Sequence, residues 1–375
     1  MTRGADALII GGGIVGCACA YELAKRGAKV TLVEYGKTGM QATNAAAGML
    51  APMTETERPD DLFTIGMRAL DEYPQVVREL EEACGFGLEF RQDGILQVAF
   101  DDAQAEHLRR RYGWQREMGL AVEWLDGDAC REAESRLSDR VVAGVYGAPE
   151  ATVSNQLVAL ALERAARARG AEIRERAPVT RAKRRGGGVA SVLAGDAWID
   201  ADTVILAAGA RSGQIARRLG AHLPVFPVRG QMIALGGMST PIARPVWGPD
   251  GYLVPRVNGL VFAGATVEHV GFRRRTTKPA VRRLRAMARR LVPALQSAQL
   301  HFEWAGLRPG SPDGLPIIGP LEGTNVVAAT GHYRNGILLG PMTGALVARG
   351  IVDGDWSDVP ASFSPARFAP TPAPA

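Results

Sequence analysis

The chain is poor in cysteine, in histidine and in long apolar runs. Its four cysteines are too few for a disulfide framework in 375 residues, which fits a reducing compartment. The longest apolar stretch, residues 5–20, contains Asp6 and four glycines and suits neither a membrane span nor a signal peptide. Its five histidines show no HxH or HExxH spacing, so we expect no metal site. These absences predict a cytoplasmic protein.

The composition is that of an ordinary soluble globular protein, with 46% hydrophobic and 22% charged residues. A net charge of +5 is dilute over this length and does not indicate a nucleic-acid-binding protein. The length of 375 residues favours at least two domains.

The beginning of the chain has the pattern of a βαβ unit. Residues 7–10 (ALII) form a short apolar run, typical of a strand buried on both faces of a parallel sheet. Residues 14–26 have helical character, and residues 29–33 (KVTLV) predict the second strand. This order indicates a parallel sheet at the start of the fold.

A glycine motif lies between the first strand and the helix. Gly11 permits a tight turn, Gly13 lets the backbone approach a pyrophosphate, and Gly16 lets the helix pack on the strand. Glu34 ends the second strand, where a carboxylate suits ribose hydroxyls and repels a 2′-phosphate. The unit predicts a dinucleotide site and disfavours NADP, whereas FAD and NAD both stay open on this motif.

The rest of the chain contains strands of two kinds. Buried apolar runs at 203–208 and 326–329 belong with the first sheet, and they favour a cofactor long enough to be held at both ends. Between residues 224 and 266, short β-rich runs separated by proline and glycine indicate an antiparallel sheet in an inserted domain. Residues 181–188 read as a basic, glycine-rich turn.

Five blocks of sequence carry a resemblance to a known family. They are AAAGML at 45–50, YLVPR at 252–256, GAT at 264–266, WAGLRPG at 304–310 and GHYRNGILL at 331–339. In order and content they resemble the D-amino-acid oxidase family of flavoproteins, and within it the glycine oxidases of the thiamine-biosynthesis type. The resemblance runs from about residue 5 to residue 350.

The resemblance implies an α/β fold with a Rossmann-like FAD-binding domain and an inserted α+β substrate domain built on an antiparallel sheet. We predict that residues 1–85, 148–222 and 306–360 form the FAD-binding domain. Residues 86–147 and 223–305 then form the substrate-binding domain. The last segment, 361–375, is rich in alanine, proline and serine and is predicted to be a disordered tail.

The resemblance also implies the catalytic residues. Arg308 corresponds to the arginine that holds the substrate carboxylate, and a planar guanidinium matches a carboxylate with two parallel hydrogen bonds. Tyr252 corresponds to a tyrosine whose hydroxyl meets the same carboxylate. Arg334 is expected to contact substrate or flavin. The implied hydride transfer needs no general base.

FAD is the cofactor that the resemblance implies, held without a covalent bond because no cysteine follows Cys130. The N-terminal amides of the last predicted helix, which begins near Ile337, would stabilise negative charge on the flavin. The expected FAD-binding residues are Gly11, Gly13, Ile14, Val15, Gly16, Glu34, Tyr35, Ala42, Thr43, Ala47, Gly48, Met49, Val179, Ala208, Gly209, His332, Tyr333, Arg334, Asn335, Gly336, Ile337 and Leu338.

The implied activity is oxidative deamination of glycine, sarcosine or small D-amino acids, with dioxygen as acceptor and hydrogen peroxide as product. Its imine would supply the thiazole of thiamine, and the family implies a homo-oligomer, a homotetramer in relatives. One alternative is a D-amino-acid dehydrogenase with another electron acceptor. A second is a tRNA-modification flavoprotein acting on an N-substituted glycine, for which a basic helix around residues 282–290 could meet RNA.

Two positions depart from the family pattern. Asp250 stands where some relatives have histidine, and Val267 stands where the best-known pattern has methionine. Both are expected to line the active site and to influence the choice of substrate.

Overall fold

The computed structural model describes residues 5–237 and 242–368. It is an α/β structure with two eight-stranded sheets and a small two-stranded sheet within those residues. In the same ranges, no helix is both long enough and apolar enough to cross a membrane.

The described residues contain eighteen strands and ten α-helices. The strands are β1 Ala5–Ile10, β2 Val30–Val33, β3 Met49–Leu50, β4 Ile95–Ala99, β5 Val122–Asp126, β6 Ala143–Gly147, β7 Ala151–Thr152, β8 Glu172–Arg174, β9 Val179–Arg185, β10 Gly188–Ala194, β11 Ala197–Leu206, β12 Phe226–Gly236, β13 Val246–Gly248, β14 Gly251–Pro255, β15 Val261–Gly264, β16 Gln299–Gly310, β17 Ile317–Pro320 and β18 Val326–Thr330. The helices are α1 Ile14–Lys25, α2 Ala42–Ala45, α3 Pro52–Glu55, α4 Asp61–Cys84, α5 Asp102–Glu117, α6 Gly127–Ala133, α7 Asn155–Ala168, α8 Ser212–Leu219, α9 Lys278–Leu291 and α10 Gly336–Val352.

The first large sheet confirms the predicted βαβ unit. Its main path runs β17-β18-β11-β1-β2-β8, and every pair from β18 to β8 is parallel. All four residues of β2 are buried, as are the described residues of β1 from Ala7 onward, because helices cover the faces of a parallel sheet. The carboxyl ends of these strands therefore meet at one edge, where α/β proteins bind ligands.

The second large sheet follows the order β16-β12-β15-β14-β13-β4-β6-β5. It is antiparallel, as predicted, except that β13 and β4 are parallel. The boundary expected between residues 305 and 306 falls inside β16, which pairs with β12 from one end to the other. We keep the two-domain division as a proposal, with this strand passing from one domain into the other.

Two glycines of α10 let it approach α1 closely. A Cβ atom on Gly344 would lie 2.6 Å from the backbone carbon of Ala18, and one on Gly340 would lie 3.1 Å from the side chain of Ile14. Both helices begin at the carboxyl edge of the first sheet. Their contact therefore holds the two N-termini side by side.

The basic segment at 181–188 is a β-hairpin, so the prediction of a turn there was wrong for most of its length. β9 continues to Arg185, and only Gly186 and Gly187, both with positive φ, form the turn before β10. Val189 and Val192 on β10 are buried, whereas most basic side chains of β9 are exposed. Burial of one face holds the segment as strands despite its charge.

The segment predicted as a disordered tail is ordered over residues 361–368. It forms two 3₁₀ turns, Ala361–Phe363 and Pro365–Phe368. Phe363 is fully buried, and the Arg367 guanidinium lies 2.7 Å from a carboxylate oxygen of Asp313. One apolar anchor and one ion pair thus fix a segment whose composition indicated disorder. Residues 369–375 lie outside the described residues.

Candidate active site

The glycine motif forms a turn in which backbone touches backbone. Gly11 has φ +115°, and a Cβ there would lie 2.4 Å from the carbonyl oxygen of Ala207 on the neighbouring strand. A Cβ on Gly16 would lie 1.9 Å from the Gly11 carbonyl oxygen. The first turn of α1 keeps N–H groups without intrahelical acceptors, which makes this an anion site. One of them, from Ile14, donates to the Thr43 hydroxyl at 3.0 Å.

Glu34 ends β2 as predicted and is buried beside the glycine turn. Its carboxylate accepts hydrogen bonds from the backbone amides of Gly12 at 2.7 Å and Gly36 at 2.9 Å. Burial raises the pKa of Glu34, although these two amides act in the opposite direction. The carboxylate therefore holds the turn as well as facing the pocket.

One pocket runs from the glycine turn to the second sheet, and it brings most of the predicted site together. Among the residues that line it are Gly11, Gly13, Ile14, Val15, Glu34, Tyr35, Ala42, Thr43, Ala47, Gly48, Met49, Val179, Ala208, Gly209, Tyr252, Arg308, His332, Tyr333, Arg334, Gly336 and Ile337.

Three predicted residues are not part of the pocket wall. Gly16 lies beneath the turn, where it spaces α1 from β1. Leu338 is buried in the core of the first sheet, and Asn335 precedes α10 as its N-cap without a side-chain capping bond. Each supports the backbone that forms the wall, and their contact with a cofactor stays a prediction.

Arg308 reaches the pocket from β16. Its Nη1 donates to the carbonyl oxygen of Thr266 at 3.0 Å. The guanidinium lies over Gly230 on β12, where a Cβ would be 2.4 Å from Nη1. Glycine at position 230 leaves room for the arginine in this arrangement, and a Cβ there would oblige the guanidinium to shift.

Tyr252, the first catalytic partner expected for Arg308, lies in the same part of the pocket on β14. Its side chain is buried against the Trp247 ring, with ring centroids 5.0 Å apart. The hydroxyl lies 3.9 Å from the Met232 sulfur. Burial raises the pKa of Tyr252, although the positive charges of Arg308 and Arg334 oppose that shift. A neutral hydroxyl and a cation thus face the same space.

Arg334 forms an ion pair with Glu55, a residue that the sequence analysis did not identify. Its Nε lies 2.9 Å from Oε2 of Glu55, and the guanidinium lies 5.2 Å from the centre of the Trp247 ring. The carboxylate raises the pKa of Arg334. Glu55 lines the pocket from α3, so a carboxylate and a guanidinium lie together at this end of the pocket.

Glu55, Gly230 and Thr266 are among the site residues that sequence reasoning missed. Thr266 lies within a quoted block, but nothing in the sequence showed that its carbonyl would receive Arg308. Glu55 follows the 45–50 block, and its partner lies almost three hundred residues away. No spacing rule connects such positions.

His332 is buried and does not act as a charged group. Its Nε2 lies 2.9 Å from the Thr343 hydroxyl on α10. Burial lowers the pKa of His332 from 6.5 to about 4. The ring is therefore neutral at physiological pH and ties the loop before α10 to that helix.

Asp250 and Val267 do not line the pocket, contrary to expectation. The Asp250 carboxylate is exposed and lies 2.9 Å from Nη1 of Arg290 on α9. Val267 is 49% exposed. Their influence on the choice of substrate therefore stays a prediction.

A buried acid holds the segment that carries Glu55. Glu150 accepts a hydrogen bond from the Thr54 amide at 2.7 Å and one from the Thr54 hydroxyl at 2.5 Å. The Arg111 guanidinium, also buried, donates to the carbonyl oxygens of Met53 at 2.9 Å and of Thr54. This network fixes α3 from below and so sets the position of Glu55.

We expect Glu150 to make stability depend on pH. Burial raises its pKa from 4.5 to about 7 in the folded protein. The contribution to the unfolding free energy is complete below about pH 4.5 and is lost as the pH rises through 7. Glu150→Gln should remove this loss and gain about 3 kcal/mol relative to the unsubstituted protein between those pH values.

Urea unfolding across that range measures the effect as a difference between variant and parent, so the contribution of His332 cancels. Glu132→Gln is the matched control, because Glu132 is exposed. Parallel stability curves for Glu150→Gln and the parent would contradict the assignment.

Comparisons with known proteins, by sequence and by structure, identify the same kind of protein. A family model described as FAD-dependent oxidoreductase matches residues 6–349. A glycine oxidase from Geobacillus kaustophilus is 34% identical over 351 residues, which cover 93% of each chain. The crystal structure of glycine oxidase from that organism superposes with a TM-score of 0.93 at 32% identity, covering 98% of this chain and 99% of the other.

A longer relative contains a similar chain as one part. The bifunctional protein ThiO/ThiG of Synechocystis is 34% identical over 377 residues, which cover 99% of this chain. The match spans 55% of that relative's length.

Proposed function

Because the chain belongs to the family of FAD-dependent oxidoreductases, we propose that it oxidises glycine and other small amines. The overall reaction converts glycine, dioxygen and water into glyoxylate, ammonia and hydrogen peroxide. The observation that carries the proposal is the meeting of Arg308 and Tyr252 with the glycine turn in one pocket. The printed names of the relatives above support glycine as the first substrate to test.

The pocket fits FAD, the cofactor of this family. Gly11 and Gly13 place no side chain between the start of α1 and the pocket, and Glu34 stands where ribose hydroxyls bind. The far end of the same pocket reaches α10, whose first residues, Gly336 and Ile337, line the wall. An elongated dinucleotide would therefore contact both helix N-termini.

Arg308 and Tyr252 bind and orient the substrate. The guanidinium receives the carboxylate through parallel N–H bonds, and the Tyr252 hydroxyl donates a third bond to it. Trp247 and Met232 cover the tyrosine and exclude water from this end.

The remaining charges are arranged to favour electron transfer. FAD, when bound, supplies the acceptor for the two electrons and the hydrogen that leave the α-carbon. Glu55 neutralises Arg334, so Arg308 is left as the cation for the substrate carboxylate. The N-terminal amides of α10 stabilise negative charge at the pocket. Catalysis rests on position and preset electrostatics, and no side chain needs to remove a proton.

The imine product would pass to a thiazole-forming enzyme of thiamine synthesis. The bifunctional relative, in which a similar chain is one part of a longer protein, supports this hand-over. Adding such an enzyme should lower the yield of free glyoxylate from glycine. We further propose a non-covalent FAD and a homo-oligomer in the cytoplasm. Acid precipitation of the protein tests the first, because a non-covalent flavin stays in the supernatant, and light scattering tests the oligomer.

The proposal is tested by an anaerobic titration of the purified yellow protein. Glycine, sarcosine, D-alanine and D-proline are added in separate experiments while flavin absorbance is followed, and air is then admitted. Bleaching by glycine, with rapid return of colour and one peroxide per glycine in air, is the expected result. Slow return in air would indicate a dehydrogenase, and no bleaching by any of the four would overturn the substrate assignment.

A further inference from the structure

The segment of residues 266–277, here called the strap, connects the two ends of the pocket. It begins after β15 and ends at α9. At its start, the Thr266 carbonyl accepts the hydrogen bond from Arg308. Near its middle, Nη1 of Arg274 donates to Oε1 of Gln41 at 2.5 Å. One short segment therefore reaches from the substrate residues to the residues next to the glycine turn.

Buried polar groups fix the base of the strap to β12. The Glu268 carboxylate lies 2.6 Å from Nε of Arg229 and accepts from Nε2 of Gln231 at 2.9 Å. Gln231, which is fully buried, also accepts from the Thr277 amide at 2.7 Å. These bonds outweigh the effect of burial and lower the pKa of Glu268, so the ion pair persists at neutral pH. The two ends of the strap are thus held, and its middle extends over the pocket.

The middle of the strap contributes two residues to the pocket wall, Phe272 and Arg274. The Arg211 guanidinium lies between the rings of Phe272 and Tyr35, at 5.0 Å and 4.9 Å from their centres. Tyr35 follows Glu34 directly. The stack of two rings and a guanidinium therefore closes the pocket on the side of the first sheet.

Arg274 stands where an anion would be held. Its partner Gln41 lies next to α2, whose Thr43 accepts from the first amide of α1. Gln41 lines the same pocket as Gly11 and Gly13, and a Cβ on Gly36, in the loop after β2, would lie 3.4 Å from its Nε2. Arg274 thus approaches the helix N-terminus from the opposite wall.

The other charged groups of the pocket leave the Arg274 guanidinium available to bind an anion. Four arginines line it: Arg211, Arg274, Arg308 and Arg334. Glu55 neutralises Arg334, Arg308 belongs to the substrate end, and Arg211 is stacked between rings. Over residues 5–237 and 242–368, Arg274 has no carboxylate partner, and its one hydrogen bond is to a neutral amide. A pyrophosphate carries two negative charges, whereas a helix N-terminus offers about half a positive charge.

We infer that Arg274 binds the cofactor's pyrophosphate and that the strap is a clamp on the dinucleotide. The guanidinium would exchange its neutral partner, Gln41, for phosphate oxygens and complete an anion site that the glycine turn supplies only in part. The inference concerns FAD retention and does not depend on which amine is oxidised.

Dilution of the holoenzyme tests the clamp, because released FAD regains its fluorescence and reports Kd. Arg274→Gln should raise Kd about ten- to hundredfold, the effect of losing one charged hydrogen bond. It should also reduce the dependence of Kd on salt, whereas Arg274→Lys should restore that dependence. The melting temperature of the holoenzyme at saturating FAD checks that Arg274→Gln is folded.

Arg273→Gln is the matched control, since Arg273 is its exposed neighbour and does not line the pocket. It should leave Kd within about twofold of the parent. Equal Kd values for Arg274→Gln and the parent, or an equal loss with Arg273→Gln, would overturn the inference. Bleaching of the FAD-loaded Arg274→Gln variant by glycine is a separate readout, so failure of the clamp can be told apart from failure of the proposed function.

Discussion

Replacing Arg308 with alanine is expected to abolish tight binding of the substrate while FAD stays bound. A carboxylate that enters this pocket leaves water and needs the guanidinium in return. Losing one partner of such a buried pair costs about 2–5 kcal/mol, which is a factor of about thirty to several thousand in Kd. The measurement is the rate of flavin bleaching without air at increasing glycine concentration, whose half-saturating concentration reports Kd.

Two further variants separate charge from geometry at this position. Arg308→Lys keeps the cation but not the two parallel N–H groups, so it should recover only part of the affinity. Gly230→Ala keeps the arginine at position 308. The new Cβ would lie 2.4 Å from Nη1 of Arg308, so the guanidinium would be displaced. Gly230→Ala should therefore weaken the binding of glycine, as Arg308→Ala does. An unchanged half-saturating glycine concentration in Arg308→Ala would show that the carboxylate binds elsewhere.

Gly16→Ala is expected to have the largest effect on the cofactor. The added Cβ would lie 1.9 Å from the Gly11 carbonyl oxygen, and both groups belong to the backbone, so α1 would have to move away from the turn. Overpacking of this kind costs about 1–3 kcal/mol or more, and it displaces the amides that face the phosphates. The purified variant should contain little FAD and should melt at a lower temperature.

Gly113→Ala is the control for that substitution. Gly113 lies within α5 and a Cβ there meets nothing within 4 Å. Alanine should stabilise the helix by about 0.5–1 kcal/mol and leave the ratio of flavin to protein unchanged. A Gly16→Ala protein with a full complement of FAD would contradict the role of Gly16 as a spacer.

The parts of the fold that depend on local patterns could be predicted from the sequence. The glycine turn, the buried strands and α4 follow from glycine spacing, continuous apolar runs, helical periodicity and capping. α4, for example, begins where the Asp60 side chain accepts from the Phe63 amide and ends at Gly85 in the left-handed region. Ser154 shows the limit of such rules, because serine is a preferred N-cap residue, yet Ser154 precedes α7 without a side-chain capping bond.

The parts that depend on distant partners could not be predicted. The prediction for residues 361–368 was wrong because one buried phenylalanine outweighs a disordered composition. Arg334 was expected at substrate or flavin, and no local pattern could show that Glu55 holds it. Arg274 sits in a run of three arginines that resembles any solvated surface, and only its place across the pocket from the glycine turn distinguishes it.

The close crossing of α1 and α10 has a consequence for synthesis of the protein. A ribosome translates α1 about three hundred residues before α10, yet the cofactor pocket needs the N-termini of both. A growing chain that has emerged only as far as β16 therefore lacks one wall of the pocket. We therefore expect FAD to be captured only after α10 has been translated, and chains truncated before residue 336 to be colourless.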